Sequence, residues 1–123
     1  MNKTEKQVKN ILTQIGFEVK NYKEKKDFDY LNTFYSQVNF KKFRLDFALI
    51  TAKLAIEING EFWHGSRTLN INHKQLKRKI SDKEKYLCLK NHNWNVIEFT
   101  DLDLKRSNIK TYLRSRIMDS IIV

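Results

Sequence analysis

Residues 43–59 read FRLDFALITAKLAIEIN and contain two short runs in which apolar and polar side chains alternate. Alternation with a period of two is typical of β-strands that bury one face. The predicted inner face of the first run carries the apolar residues Phe43, Leu45, Phe47 and Leu49, opposite Arg44, Asp46 and Ala48. The inner face of the second run carries Leu54, Ile56 and Ile58. Little more than Thr51 and Ala52 separates the runs, which predicts an antiparallel hairpin.

The register of this hairpin brings two acidic residues together. Pairing across the turn at residues 51–52 places Asp46 directly opposite Glu57, and Arg44 opposite Asn59 on the same face. Directly opposed residues have Cβ atoms about 5 Å apart. Two carboxylates at that distance repel each other, which raises the pKa of one of them unless a cation lies between them. A divalent ion that prefers oxygen ligands, Mg²⁺ or Mn²⁺, would satisfy both.

Two alternatives to this metal site stay open at the level of spacing. Asp46 and Glu57 can each pair with a nearby Arg or Lys on a solvated face of the sheet. The Thr-Ala dipeptide is not a favoured two-residue hairpin turn. A slip of one residue in the register would place the two acids on opposite faces.

The rest of the chain predicts helices and further strands around the hairpin. Apolar residues recur at helical spacing from Val8 to Ile15, with Thr4 as the predicted N-cap and Gly16 as the stop. The other predicted elements are a loop over 20–30 with room for one short strand before it, strands over 34–40 and 95–100, and a loop over 60–72. Helices are predicted over 74–90, with an interruption allowed at Ser81, and from Ser107 onward. The pattern indicates an α/β protein in which residues 1–123 form a single domain, with a central mixed sheet flanked by helices.

Composition narrows the classes of partner. The 24 Lys and Arg residues exceed the 14 Asp and Glu residues, and the formal net charge is +10. Such an excess favours nucleic acid, or else reflects a lysine-rich surface encoded by an AT-rich genome. A membrane partner is disfavoured because the basic residues are spread along the chain and no long apolar run is present. The single cysteine, Cys88, excludes an intramolecular disulfide, and with no apolar leader at the amino terminus it favours a cytoplasmic setting.

Several segments match one enzyme family in order and spacing. They are Phe43-Arg-Leu-Asp-Phe-Ala48, Lys53-Leu-Ala-Ile-Glu-Ile-Asn-Gly60, Thr4-Glu5, Gly60-Glu-Phe-Trp-His64, and Asp82, Lys85 and Leu89 followed by Trp94-Asn-Val-Ile-Glu-Phe-Thr100. Together they resemble the PD-(D/E)XK nucleases, most closely the very-short-patch repair (Vsr) endonucleases and their homing relatives. The resemblance implies a restriction-endonuclease-like fold and a metal-dependent endonuclease that hydrolyses phosphodiester bonds of double-stranded DNA. Repair, homing and phage or mobile-element DNA processing are the roles it implies.

The resemblance also implies roles for individual residues. Asp46 and Glu57 become the metal-binding carboxylates, and the backbone carbonyl of Ile58 becomes a further ligand of Mg²⁺ or Mn²⁺. These residue types suit the chemistry because anionic oxygens hold a hard cation against a phosphate. Glu5 is placed to orient the attacking water; its alternative role is to stabilise the amino terminus of a helix.

Two departures from the family pattern change the expected chemistry. Asn59 stands where the family usually has lysine and the repair enzymes have histidine. Asparagine carries no charge, so we expect Lys85 to supply the cation; its alternative is a plain surface lysine. His64 is the expected proton donor to the leaving oxygen, unless it is only structural. No structural zinc is expected, because Cys88 and the three scattered histidines lack the spacing of zinc ligands.

The predicted DNA contacts lie outside the acidic pair. Phe62 and Trp63 resemble the aromatic wedge that repair enzymes insert at a mismatch, unless they pack onto the core. Lys77, Arg78 and Arg44 would contact phosphates, unless they form a solvated surface. A long recognition site would require a homodimer or a larger DNA-processing partner. The main alternative function is a catalytically inactive nucleic-acid-binding module that keeps the nuclease fold.

Overall fold

The structure, a computed structural model, describes residues 1–25, 31–59 and 73–121. The helices are α1 (Lys3–Gln14), α2 (His73–Asn91), α3 (Asp101–Leu104) and α4 (Ile109–Ile121), and the strands are β1 (Glu18–Asn21), β2 (Thr33–Phe40), β3 (Phe43–Leu49), β4 (Leu54–Asn59) and β5 (Asn95–Thr100). None of these described helices is long and apolar enough to cross a membrane.

The described strands form one mixed sheet in the order β1-β2-β3-β4-β5. The two outer pairs, β1 with β2 and β4 with β5, are parallel, and the two inner pairs are antiparallel. The predicted α/β class with a mixed sheet flanked by helices is therefore confirmed. The predicted strands over 34–40 and 95–100 are also confirmed, as β2, which begins one residue earlier, and β5.

The N-cap of helix α1 lies two residues earlier than predicted. The side chain of Asn2, rather than Thr4, is the N-cap and accepts a hydrogen bond from the Glu5 backbone N–H at 2.8 Å. Thr4 lies inside the helix, where its hydroxyl donates to Asp101 Oδ1 at 3.2 Å. Asparagine caps as well as threonine does, so the sequence alone favoured neither. The predicted stop at Gly16 is confirmed by its φ of +109°, a conformation that glycine adopts without strain.

Helix α2 is continuous from His73 to Asn91, so the interruption allowed at Ser81 does not occur. A single serine inside a long helix costs only a few tenths of a kcal/mol, too little to break it. Helix α4 begins at Ile109 rather than Ser107. The short helix α3 was not predicted, although Thr100 and Asp103 form a reciprocal capping box at its start.

The connection between β3 and β4 differs from its prediction, yet the register is as predicted. The last ladder pair is Leu49 with Leu54, so the loop has four residues, a 3₁₀ turn over Ile50–Ala52 followed by Lys53. Lys53 has a φ of +50° and completes the reversal. Lengthening a two-residue turn by one residue on each side leaves the pairing of the strands unchanged. The ladder therefore pairs Phe47 with Ile56, as the predicted register requires.

Two apolar clusters cover the two faces of the sheet. The cluster on the side of α1 and α4 has as its buried members Val8, Leu12, Ile15, Phe34, Phe47, Leu49, Leu54, Ile56, Ile97, Phe99, Leu113 and Ile117. The cluster on the side of α2 has as its buried members Tyr35, Val38, Leu45, Ala48, Ala55, Leu89 and Trp94. Trp94 is a core residue, and its ring centroid lies 5.3 Å from that of Phe40.

The predicted uniform alternation along β3 is wrong. Leu45 and Ala48, three residues apart, pack in the same cluster on the α2 side, whereas Phe47 packs on the opposite side. A regular strand places residues an odd number apart on opposite faces, so the strand changes face between Leu45 and Phe47. The residue between them is Asp46. The irregularity therefore coincides with the predicted metal-binding carboxylate.

Candidate functional site

Polar residues occupy one level of the sheet on four successive strands: Gln37 of β2, Asp46 of β3, Glu57 of β4 and Glu98 of β5. Glu57 and Glu98 are direct partners in the parallel ladder of β4 and β5. Asp46 and Glu57 immediately follow the last pair of the β3–β4 ladder, at the side away from the turn. Gln37 and Asp46 lie between the ladder pairs Ser36–Phe47 and Val38–Leu45 of β2 and β3, and so face each other. The predicted juxtaposition of the two acids thus holds in the structure.

Asp46 lies where the ladder between β3 and β4 stops. Beyond the pair of Phe47 and Ile56, the backbone N–H of Ile58 donates to Asp46 Oδ2 at 2.8 Å. A side-chain oxygen thus replaces a backbone acceptor at the point where β3 changes face. This bond fixes the half-buried carboxylate of Asp46 beside β4, next to Glu57.

Glu57 is a buried acid whose pKa is shifted by two charged neighbours, Asp46 and Lys85. Its residue is 9% exposed, and Lys85 Nζ of α2 lies 2.7 Å from its Oε1. Burial, and then the charge of Asp46, raise the pKa of Glu57 to about 8, although Lys85 acts in the opposite direction. The Lys85 ammonium is therefore the close charged partner of Oε1.

Because Asp46 and Glu57 are close and partly or fully buried, a cation bound between them would favour the ionised form of both. Burial and the charge of Asp46 both disfavour the ionised form of Glu57, which is why its pKa is raised. A cation placed between Asp46 and Glu57 would remove the repulsion between the two carboxylates. The isolated ion pair of Glu57 with Lys85 does not achieve this, because Lys85 contacts only one of the two acids among the described contacts.

A small cavity opens beside Glu57 on the α2 side of the sheet. Its free space is about 30 Å³, enough for a water molecule. Its lining consists of Glu57, Asp82, Lys85, Tyr86, Leu89, Val96 and Glu98. The cavity shows that solvent-sized groups can approach the buried carboxylate from the side of α2.

Glu5 of helix α1 is connected to the polar row of the sheet through Gln37, a residue that was not predicted from the sequence. The side-chain amide of Gln37 donates from Nε2 to Glu5 Oε2 at 2.8 Å. Gln37 faces Asp46 across the β2–β3 ladder, so helix α1 presents Glu5 one hydrogen bond away from the strand position opposite Asp46. The hydrophobic pattern gave no sign of Gln37, because its significance comes from a backbone φ of +57° within a strand.

Arg44 does not share the face of the two acids as predicted. It is exposed and pairs with Asn39 in the β2–β3 ladder, while its neighbour Leu45 packs on the α2 side. Alternation therefore directs Arg44 to the opposite side of the sheet. The change of face at Asp46 is the physical reason. It exchanges the two sides of the sheet to which the β3 residues before Asp46 direct their side chains.

The remaining predicted contacts with DNA and the leaving group are only partly within the described residues. Lys77 is exposed on α2. Arg78 belongs to α2 and Asn59 ends β4, but their side chains lie outside the described part of the chain. Phe62, Trp63 and His64 also lie outside the described residues, so their predicted roles stay predictions.

Within residues 1–25, 31–59 and 73–121, no group of three or more His, Cys, Asp or Glu side chains is arranged to hold a metal. Cys88 Sγ lies 4.0 Å from Nδ1 of His92, and that nitrogen is 2.8 Å from the Cys88 backbone carbonyl oxygen. A metal at the acidic pair would therefore draw on Asp46, Glu57, backbone oxygens and oxygens of the substrate.

No protein-family model, curated protein or solved structure matches this chain. Function is therefore inferred from the chemistry of Asp46, Glu57 and the groups that surround them.

Proposed function

We propose that this chain is a Mg²⁺-dependent endodeoxyribonuclease that hydrolyses phosphodiester bonds of double-stranded DNA. The observation that carries the proposal is the contact of Asp46 with a buried Glu57 whose pKa is raised to about 8. Juxtaposed carboxylates of this kind cluster at functional sites, because holding them together without a cation is unfavourable. Asp46 and Glu57 also fill the acidic positions of the PD-(D/E)XK pattern, so we take the domain as restriction-endonuclease-like and close to the very-short-patch repair branch.

The donor set fits Mg²⁺, and Mn²⁺ equally. Protein sites for Mg²⁺ commonly use one or two carboxylates and complete the shell with water and substrate phosphates, so a third acidic side chain is not required. Glu57 offers two carboxylate oxygens, of which Oε1 is buried against the Lys85 ammonium at 2.7 Å. Ile58 follows Glu57 directly, and its backbone carbonyl is the proposed third protein ligand. When bound, Mg²⁺ would polarise the phosphate and neutralise its charge.

Lys85 takes over the positive charge that Asn59 cannot supply. Its side chain is only 18% exposed and reaches Glu57 from α2 rather than from the strand. An ammonium group held there can stabilise negative charge that develops on the phosphate during hydrolysis. Glu5, held by Gln37, is the proposed carboxylate that orients the attacking water. His64 is the proposed donor of a proton to the leaving oxygen.

The charge of the chain supports DNA as the partner. A net charge of +10 attracts a polyanion through counterion release. Lys77 is exposed on the same helix that carries Lys85, and with Arg78 it would contact phosphates. Phe62 and Trp63 are the proposed wedge. A second copy of the chain or a larger DNA-processing partner would extend the recognised site, in repair, homing or mobile-element processing.

The direct test is cleavage of supercoiled plasmid in Mg²⁺, Mn²⁺, Ca²⁺ or EDTA. We expect the wild type to nick or cut the plasmid in Mg²⁺ and Mn²⁺ and to bind it uncut in Ca²⁺. Asp46→Ala should abolish cleavage and keep DNA binding, because it removes a metal ligand rather than core packing. Asp119→Ala, the same substitution at an exposed residue of α4, is the matched control and should retain activity. Full activity of Asp46→Ala would overturn the proposed site.

A second candidate function, an inactive nucleic-acid-binding module, is favoured by one observation. Asn59 occupies the position of the catalytic lysine in the PD-(D/E)XK pattern. Plasmid binding without cleavage in every metal would support this candidate. The contact between Asp46 and Glu57 counts against it, since an inactive module gains nothing from holding two acids together.

A further inference from the structure

Gln37 has a backbone conformation that glutamine rarely adopts. Its φ is +57°, in the left-handed region, although it lies inside strand β2. A residue with a Cβ atom is strained there, whereas glycine is not. Such strain persists only where the surrounding structure imposes it, and it concentrates at functional sites. The identity of this side chain therefore calls for a reason beyond strand formation.

The conformation of Gln37 changes the side of the sheet to which β2 directs its residues. Tyr35 and Val38, three residues apart, both pack in the cluster on the α2 side. Regular alternation would place Gln37 with Tyr35 on the α2 side, but Val38 takes that side instead. The partner strand changes face at the same level, at Asp46. Gln37 and Asp46 thus form one shared irregularity in two paired strands.

Because Gln37 points away from the α2 side, its side chain makes a specific contact with helix α1. The Gln37 side-chain amide donates to Glu5 Oε2 at 2.8 Å, across 32 residues of sequence. The Glu5 residue is partly buried, and its own backbone N–H is held by Asn2. A neutral amide fixes one carboxylate oxygen without cancelling the negative charge, and within the described part of the chain the other oxygen makes no hydrogen bond. A lysine or arginine at position 37 would instead neutralise the carboxylate.

We propose that Gln37 is a positioning residue that holds the Glu5 carboxylate at the edge of the Asp46–Glu57 site. This inference rests on the proposed nuclease function and assigns to it a residue outside the site predicted from the sequence. Gln37 acts through Glu5 and touches no reacting group. Its strained backbone is the means by which a strand residue opposite Asp46 points at helix α1.

The first variant that tests this role is Gln37→Gly. Glycine accepts the positive φ, so the backbone stays as it is while the amide is lost. We expect kcat for plasmid cleavage to fall by about tenfold or more, as for loss of a group that orients a catalytic residue, with KM for DNA unchanged. Lys41→Gly is the matched control, because Lys41 has a φ of +56° in the β2–β3 turn and should give wild-type kcat.

Coupling to Glu5 separates a positioning role from a merely structural one. If Gln37 acts through Glu5, the double variant Glu5→Gln/Gln37→Gly should cleave no more slowly than Glu5→Gln alone. The ¹³C resonance of the Glu5 carboxyl group should shift in Gln37→Gly without any metal. If Gln37→Gly does not fold, the isosteric Gln37→Glu, which cannot donate to Glu5 when ionised, should show the same loss of kcat.

The outcomes distinguish this inference from the function on which it rests. A wild-type chain that cleaves no DNA in any metal overturns both. An active wild type with a fully active Gln37→Gly overturns the role of Gln37 alone. Additive losses in the double variant, with an unmoved Glu5 resonance, do so as well, because they would mean that Gln37 does not act on Glu5.

Discussion

Lys85 Nζ, on a helix 28 residues further along the chain, lies 2.7 Å from Oε1 of the strand residue Glu57. Both side chains are mostly buried, at 18% and 11% exposure. A buried ion pair contributes little to stability over an apolar pair of the same size, because both charges lose their hydration. The Lys85–Glu57 pair is therefore better explained by a functional need for opposite charges at the site than by a contribution to the stability of the fold.

We expect Lys85→Ala to lower kcat for plasmid cleavage by about a hundredfold with little change in DNA affinity, as for a group that stabilises charge in the transition state. The measurement is cleavage rate at saturating DNA together with a binding titration in Ca²⁺. Lys83→Ala, on an exposed position of the same helix, is the control and should alter neither. A loss of affinity with unchanged kcat would make Lys85 a phosphate anchor only.

A rescue follows from the position of Asn59. The family pattern places lysine there, so Asn59→Lys introduced into Lys85→Ala should recover part of the lost kcat. Recovery would show that the site needs one ammonium group and accepts it from the strand or the helix. If the double variant stays as slow as Lys85→Ala, charge alone does not replace Lys85.

The second prediction concerns the pH dependence of stability without metal. The pKa of Glu57 is about 8 in the fold, against an ordinary value of 4.5. The folded protein therefore binds the Glu57 proton more tightly than the unfolded chain does. The free energy of unfolding should fall as pH rises from about 4.5 to about 8 and should level off above, a total of a few kcal/mol.

Urea unfolding of Glu57→Gln checks this sign. The variant carries no titrating group at position 57, so its advantage over the wild type should grow as pH rises through that window. Glu24→Gln, an exposed glutamate, serves as control and should follow the wild type. Added Mg²⁺ should stabilise the wild type more at pH 8 than at pH 6, because the ion and the proton compete. Parallel pH profiles for the wild type and Glu57→Gln would contradict the raised pKa.

The third prediction separates a DNA wedge from phosphate contacts. Unstacking a base step costs a few kcal/mol, and least where pairing is already poor. Trp63→Ala should therefore weaken binding to mismatched duplexes more than to matched ones. Lys77→Ala should weaken binding to both alike and reduce its salt dependence by about one unit of slope. Titrations of both variants at two salt concentrations decide the matter, and unfolding of Trp63→Ala would assign that ring to the core instead.

The parts of the fold that follow from side-chain alternation could be predicted from the sequence. The hairpin register was correct, because lengthening the loop symmetrically to residues 50–53 leaves the pairing unchanged. The change of face at Asp46 could not be foreseen. Leu45 and Phe47 are both apolar, and each finds an apolar cluster on its own side of a sheet that is covered on both faces. A pattern of apolar residues cannot distinguish the two sides.

The candidate site divides in the same way. Asp46 and Glu57 could be paired from spacing, and Lys85 from the resemblance to a nuclease pattern. Gln37 could not, because its contact with Glu5 depends on a backbone angle that no residue type signals except glycine. The short helix α3 could have been found, since Thr100 and Asp103 have the spacing of a capping box.

The hydrogen bond from the Ile58 backbone N–H to Asp46 gives the molecule a spectroscopic reporter of its own. An amide proton donated to a carboxylate responds directly to the charge on that oxygen. In a ¹⁵N–¹H spectrum the single cross-peak of Ile58 should therefore move with the ionisation of the acidic pair and with each divalent ion added. Occupancy of the site could be followed at one backbone nitrogen, in unmodified protein and without any nucleic acid present.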